Sequence, residues 1–129
     1  MCFRSLTVLF LLLVALRPAA AQDVAAGERV FAQCRACHQV GEGARNGVGP
    51  QLNGLWDRKA GTVAGYGYSP ANKGSDITWT PETFRPYIKD PKGTMPGTKM
   101  IFAGLKEDGR ISDLIAFLGQ YDADGKKKP

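Results

Sequence analysis

Cys34-Arg35-Ala36-Cys37-His38 sets two thiols three positions apart, with an imidazole directly after the second. Thiols at this spacing can add across the two vinyl groups of one porphyrin, and the histidine then falls beneath the iron as an axial ligand. The stretch therefore predicts covalent attachment of a c-type haem through Cys34 and Cys37, with His38 on the metal. His38 is the only histidine in the 129-residue sequence, so the chain offers no second imidazole. A disulfide or a thioredoxin-like pair is the competing reading of the thiols. Such redox pairs sit between a strand and a helix, and no hydrophobic strand precedes Cys34. A structural zinc site wants four ligands, and this cluster provides three.

Covalent haem attachment calls for an export route, and the first residues supply one. Arg4 gives a positive start, Leu6 through Leu16 form an almost unbroken apolar run, and Pro18-Ala19-Ala20-Ala21 offers small residues for cleavage. This is the three-part pattern of a secretory signal peptide over residues 1–21, cleaved after Ala21 to expose Gln22. The alternative, an uncleaved anchor, would need roughly 20 apolar residues, and the run is shorter. Cys2 lies far from the cleavage site, so a lipoprotein anchor is not expected. The expected location is the periplasm. Removing the leader takes Arg4 and Arg17, which leaves fifteen basic residues against twelve acidic ones. A balance this mild argues against nucleic-acid binding.

Residues 22–121 then form one domain of about a hundred residues, large enough for a single modest core. Asp23 to about Ala36 reads as a first helix capped by Asp23, with Val24, Val30, Phe31 and Cys34 on one face. Gly27 inside it suggests close approach by another element. From Gly41 to Asp76 the chain is punctuated by glycine and lacks sustained periodicity. Leu52, Leu55, Trp56, Tyr66 and Tyr68 make that stretch too apolar for a solvated linker, so a loop wrapped around a flat cofactor is expected. Thr80-Pro81-Glu82-Thr83 starts a helix with Phe84, Tyr87 and Ile88 on one face. Pro86 should bend or shorten that helix, and Asp90-Pro91 should end it. Asp108 precedes a last helix with Ile111, Leu114, Ile115 and Leu118 on one stripe. Residues 122–129 are expected to be a flexible, frayed basic tail. No strand pattern stands out. The fold class is all-α, with three to five helices and long loops around one covalent haem.

The second face of the iron decides the function, since an open face would activate small molecules and a closed face would pass electrons. Met95 and Met100, both in the irregular segment Gly93 to Gly104, are the remaining thioether candidates, a ligand type that favours reduced iron. Pro96-Gly97-Thr98-Lys99-Met100-Ile101-Phe102-Ala103-Gly104 resembles the methionine-ligand loop of mitochondrial cytochrome c and its soluble bacterial counterparts. Gly49-Pro50-Gln51-Leu52-Asn53-Gly54-Leu55, Arg58-Lys59-Ala60-Gly61, Gly65 to Lys73, Ile77-Thr78-Trp79 and Asp113 to Leu118 extend the likeness over nearly the whole mature chain. On these residues the sequence is similar to the class I cytochromes c.

The resemblance implies Met100 as the sixth ligand, with Met95 in a surface or packing role. It implies that the Pro50 carbonyl accepts from the other ring nitrogen of His38, in the manner of second partners to metal ligands. It also implies that Tyr68 and Trp79 hydrogen-bond the haem propionates with Arg58 nearby, and that Asn72, Tyr87 and Thr98 lie on the methionine side. Tyr66 and Phe84 are expected to do ordinary packing. Two departures stand out. Pro86 lies in a helix that the family normally keeps unbroken, and the basic docking ring is thin, with Arg35, Lys59, Lys92, Lys99 and Lys106 as its candidates. The implied function is a monomeric electron carrier using one haem c with His/Met ligation, not an enzyme. Its implied donor is a cytochrome bc complex or dehydrogenase, and its acceptor an oxidase, reductase or reaction centre. Rival readings are a haem enzyme or gas sensor with a displaced methionine, and an obligate subunit of one redox enzyme.

Overall fold

The computed structural model describes residues 23–129; the expected leader and its cleavage site after Ala21 lie outside the described residues. Among the described residues five α-helices appear in the order α1 (Val24–Phe31), α2 (Pro70–Lys73), α3 (Pro81–Lys89), α4 (Pro91–Thr94) and α5 (Asp108–Gly119). Among the described residues the only β-pairings are the isolated bridges Lys59–Thr78 and Tyr121–Lys127. The all-α expectation holds.

The frame is the crossing of the first and last helices. Asp23 caps α1 by accepting from the Ala26 N–H at 3.0 Å, and its own N–H donates to the Asp113 carboxylate on α5 at 3.1 Å. Gly27 is what lets the two backbones meet, because a Cβ there would lie 2.0 Å from the Asp113 carbonyl oxygen and 2.7 Å from the Phe117 Cβ. On either side of that glycine the helices bury Phe31 against Phe117, with ring centroids 5.1 Å apart, alongside Ile111, Leu114 and Leu118. Val24 departs from the expected apolar face and is exposed.

Several expected boundaries move. The α1 helix ends at Phe31 and tightens into a 3₁₀ turn, Ala32–Cys34. A further turn follows, in which the His38 N–H donates to the Cys34 carbonyl at 2.9 Å. Helix α3 starts as expected with a Thr80–Thr83 capping box, but Pro86 neither interrupts nor shortens it before Lys89. The missing N–H of Pro86 frees only the carbonyl of Glu82, an exposed residue in the first turn where water can take over. Asp90 then ends α3 and caps α4, an unexpected short helix, through its carboxylate to the Gly93 N–H at 3.0 Å.

The tail is the clearest correction. Residues 122–129 were expected to fray, yet Asp122 to Lys128 fold back as a turn. The Asp122 carboxylate accepts from the N–H groups of Asp124 and Lys126, both at 2.9 Å. The Lys128 N–H donates to the Gln120 carbonyl at 2.8 Å. Gly125 is buried, because its missing side chain lets the turn press onto Gly41. Polarity alone suggested fraying, but local carboxylate-to-backbone bonds offset the ordering cost.

A Gly27→Ala substitution tests the frame. Overpacking at this crossing should cost about 1–3 kcal/mol, outweighing a gain in helix propensity of about 1 kcal/mol. A lower midpoint of guanidinium unfolding would register it.

Candidate haem site

Between the α1–α5 frame and the loops lies a cleft with about 650 Å³ of space free of atoms, walled mainly by Phe31, Leu52, Leu55, Phe84, Ile88 and Leu114. Cys34, His38, Pro50, Arg58, Tyr68, Asn72, Trp79, Tyr87 and Met100 also line it. A second cavity shares Cys34, His38, Tyr68, Asn72, Tyr87 and Met100 with the first and extends the cleft outward to Cys37 and Thr98, with Val48, Tyr66, Lys99 and Ile101. Every site residue expected from the sequence thus borders one cleft.

The imidazole of His38 is held from behind. Its Nδ1 donates to the Pro50 carbonyl at 2.7 Å, which leaves the Nε2 lone pair free. Burial pushes the imidazole pKa below its ordinary value, and the nearby Arg58 cation acts in the same direction, while the Pro50 carbonyl opposes them. The neutral, metal-binding form is therefore the stable one near pH 7. Gly49 packs flat against the ring, where a Cβ would sit 2.4 Å from Cε1.

On the other side, the Tyr87 hydroxyl donates to the Met100 sulfur at 3.2 Å. Burial raises the Tyr87 pKa, with the Thr98 side chain opposing, so the phenol keeps its proton well past neutrality. Thr98 in turn accepts from the Met100 N–H at 3.3 Å. The ring of Trp79 stacks edgewise on Tyr87 at 4.8 Å. Met95, by contrast, is buried in the core and is absent from the cleft wall.

A third polar group enters from Arg58. Its guanidinium donates to the carbonyls of Asn53 at 2.9 Å and Gln51 at 3.3 Å, and burial lowers its pKa from the ordinary arginine value. Tyr68 lies beside it and accepts from the Val63 N–H at 3.0 Å. Asn72 carries a buried side-chain oxygen, Oδ1, with no hydrogen-bond partner, an arrangement that calls for a further group in the cleft.

The donor set fits a covalent haem. Two free thiols, a neutral imidazole with one nitrogen already committed, a thioether, an arginine and an unpartnered amide oxygen all meet an apolar cleft. The Cys34 thiol is pushed up to about 11 by burial and by Cys37, with Arg35 opposing. It is accordingly a neutral thiol near pH 7.

Leu52, Leu55 and Tyr66 line the cleft without having been singled out from the sequence as site residues. Leu52 and Leu55 were noted only as apolar loop residues. Tyr66, expected to pack, lines the outer cleft and donates to the Val48 carbonyl at 2.6 Å. Lys99 closes the outer edge by donating to the Gly67 carbonyl, with its ammonium 4.5 Å from the Tyr66 ring centroid. Of the five docking candidates only Lys99 lines the cleft. Arg35 lies over the Phe31 ring at 5.0 Å and pairs with Glu28.

Gly49→Ala should push the His38 ring off the Pro50 carbonyl and cost about 1–3 kcal/mol by overpacking. Denaturant unfolding checks the cost, and loss of the hydrogen-bonded Nδ1–H resonance by NMR checks the displacement.

Known proteins resemble the chain over most of its length. The family model described as Cytochrome c matches residues 24–122. The chain is 60% identical to cytochrome c2 of Blastochloris viridis over 120 residues, covering 93% of this chain and 94% of that protein. It is 57% identical to cytochrome c-550 of Nitrobacter winogradskyi over 106 residues, covering 82% and 97%. The solved structure of cytochrome c2 from Rhodospirillum centenum superposes with a TM-score of 0.73 at 38% identity, covering 78% of this chain and 98% of that one.

Proposed function

We propose, from the fact that this chain belongs to the cytochrome c family, that His38 and Met100 close the two faces of its haem iron and make it a dedicated electron carrier. The chain carries one covalent c-type haem and serves electron transport rather than catalysis. When bound, the haem supplies a one-electron couple between ferrous and ferric iron.

The observation that carries the ligand assignment is the pairing of supports across one cleft, Pro50 behind His38 and Tyr87 beside Met100. Each candidate ligand is fixed by a polar partner from another segment of the chain. Cys34 and Cys37 hold the haem covalently. Tyr68 and Trp79 would hydrogen-bond the propionates, and Arg58 would offset their charge, whose burial would otherwise be costly. Asn72 and Thr98 complete the methionine side. With both axial positions filled, little has to rearrange when the charge changes, and the apolar wall keeps water out.

In the cell the carrier passes electrons between redox complexes. Its apolar leader and the small residues before Gln22 support export to the periplasm and cleavage after Ala21. The donor is a cytochrome bc complex or a dehydrogenase, and the acceptor an oxidase, reductase or reaction centre. Domain 22–121 does this work as a monomer, with residues 122–129 folded back on it.

The reduced native protein should bind carbon monoxide poorly near neutral pH, and Met100→Ala should bind it rapidly and completely. Optical titration of both decides the matter; rapid, complete binding by the native protein would overturn the closed sixth position.

A further inference from the structure

Asn53 lies in a loop without regular structure, yet it is only 6% exposed. Its side chain grips both backbone groups of Gly41: Oδ1 accepts from the Gly41 N–H at 2.8 Å, and Nδ2 donates to the Gly41 carbonyl at 2.9 Å. Its own N–H donates to the Gln51 side-chain oxygen at 2.7 Å. Its carbonyl meets the Arg58 guanidinium at 2.9 Å, beside the Gln51 carbonyl. The C-terminal turn closes over the same point, since a Cβ on Gly125 would fall 2.2 Å from the Gly41 carbonyl oxygen and 2.7 Å from the Asn53 Nδ2. Nothing in this cluster touches the cleft except Arg58.

We propose that Asn53 is a positioning residue for electron transfer: by clamping Gly41 it fixes the two carbonyls that hold the Arg58 guanidinium in the cleft. The inference rests on the haem reading above. Arg58 is long and rotamer-rich, and its cation would be better hydrated in solvent, so it stays in a half-buried cleft only where acceptors are already in place. The carbonyl of Asn53 survives any side-chain change, but without the amide clamp it hangs on irregular backbone running straight into Gly54, at φ +57°. A cation beside the redox centre disfavours the additional positive charge of ferric iron. Loosening Asn53 should therefore act on the potential through Arg58.

Redox titration of the purified holoprotein tests this. Asn53→Ala should lower the midpoint potential, read as a several-fold lower ferrous-to-ferric ratio at a fixed ambient potential. In an Arg58→Gln background the same substitution should produce no further fall. Asp23→Ala, which removes the α1 cap, serves as the control: it should lower the unfolding midpoint and leave the potential where it was. Asn53→Ser, a smaller lesion, replaces the alanine variant if that one fails to retain haem, and should give a partial fall. An unmoved potential in the Asn53 variant, or an undiminished fall in the Arg58→Gln background, would overturn the proposal. The carbon monoxide titration of the native protein stands apart, because an open sixth position there would defeat the ligand assignment without altering what the Asn53 comparison reports.

Discussion

A single imidazole must be aimed in a fixed plane, and the hydrogen bond from His38 to the Pro50 carbonyl, twelve residues along the chain, is what aims it. This constraint explains why the segment after the cysteine motif cannot be a helix. The chain has to leave His38, turn, and return with one carbonyl pointing at the back of the ring. The Gly49 N–H donates to the Cys37 carbonyl at 2.9 Å on the way back, and the Gly47 N–H donates to the Gly49 carbonyl at 2.9 Å. No side chain fits between that backbone and the imidazole, so glycine at position 49 is demanded by the ring itself.

Irregular backbone carries a standing debt of unpaired N–H and C=O groups. Side-chain amides settle much of it here. Asn46 accepts from the Gln51 N–H and donates to the Ala64 carbonyl, both at 3.0 Å, and Gln39 accepts from the Arg45 N–H at 2.9 Å. The loop region is thus stiff for reasons that have little to do with helices. The helices do a separate job: α1 and α5, locked at Gly27, form the one rigid wall against which the loops and the cleft are built. Asp57, at φ 68°, is the only non-glycine residue with positive φ among the described residues. Its N–H donates to the Trp79 carbonyl at 2.7 Å, holding the chain just before Arg58.

This division of labour also decides what could be read from the sequence. The capping box at Thr80, the stripe from Ile111 to Leu118 and the glycine in the first helix were legible, because each is a local signal with a local cause. Pro86 misled as to the length of its helix, because the rule against internal proline concerns a lost bond and a clash in the preceding turn, and in so short a helix that turn is the solvated first one. The tail misled because composition does not reveal that the Asp122 carboxylate caps its own turn. At the cleft, Cys34, Cys37 and His38 were legible by spacing, whereas Met100 was separable from Met95 only through resemblance to a family. Asn53 was invisible: its function lies in two bonds to Gly41, and nothing in a glycine-rich stretch marks which asparagine will be buried.

With His38 and Met100 as the proposed ligands, the two supports of the cleft would pull in opposite senses, and the fold would control that opposition. A carbonyl accepting from the His38 Nδ1–H makes the imidazole a stronger donor and favours the oxidised metal. A hydroxyl donating to the Met100 sulfur withdraws electron density and favours the reduced one. The apolar wall and the Arg58 cation add to the second effect, since both disfavour extra positive charge in the cleft. No one of these groups fixes a potential alone. Each hangs on a different loop: Pro50 and Arg58 on segments tied to the C-terminal turn through Asn53 and Gly41, and Met100 on a segment tied to α3 through Tyr87. The two sides also meet, since Trp79 bonds the backbone at Asp57 and Arg58 and stacks on Tyr87, so a chain with this architecture can be tuned by residues that never touch its cofactor.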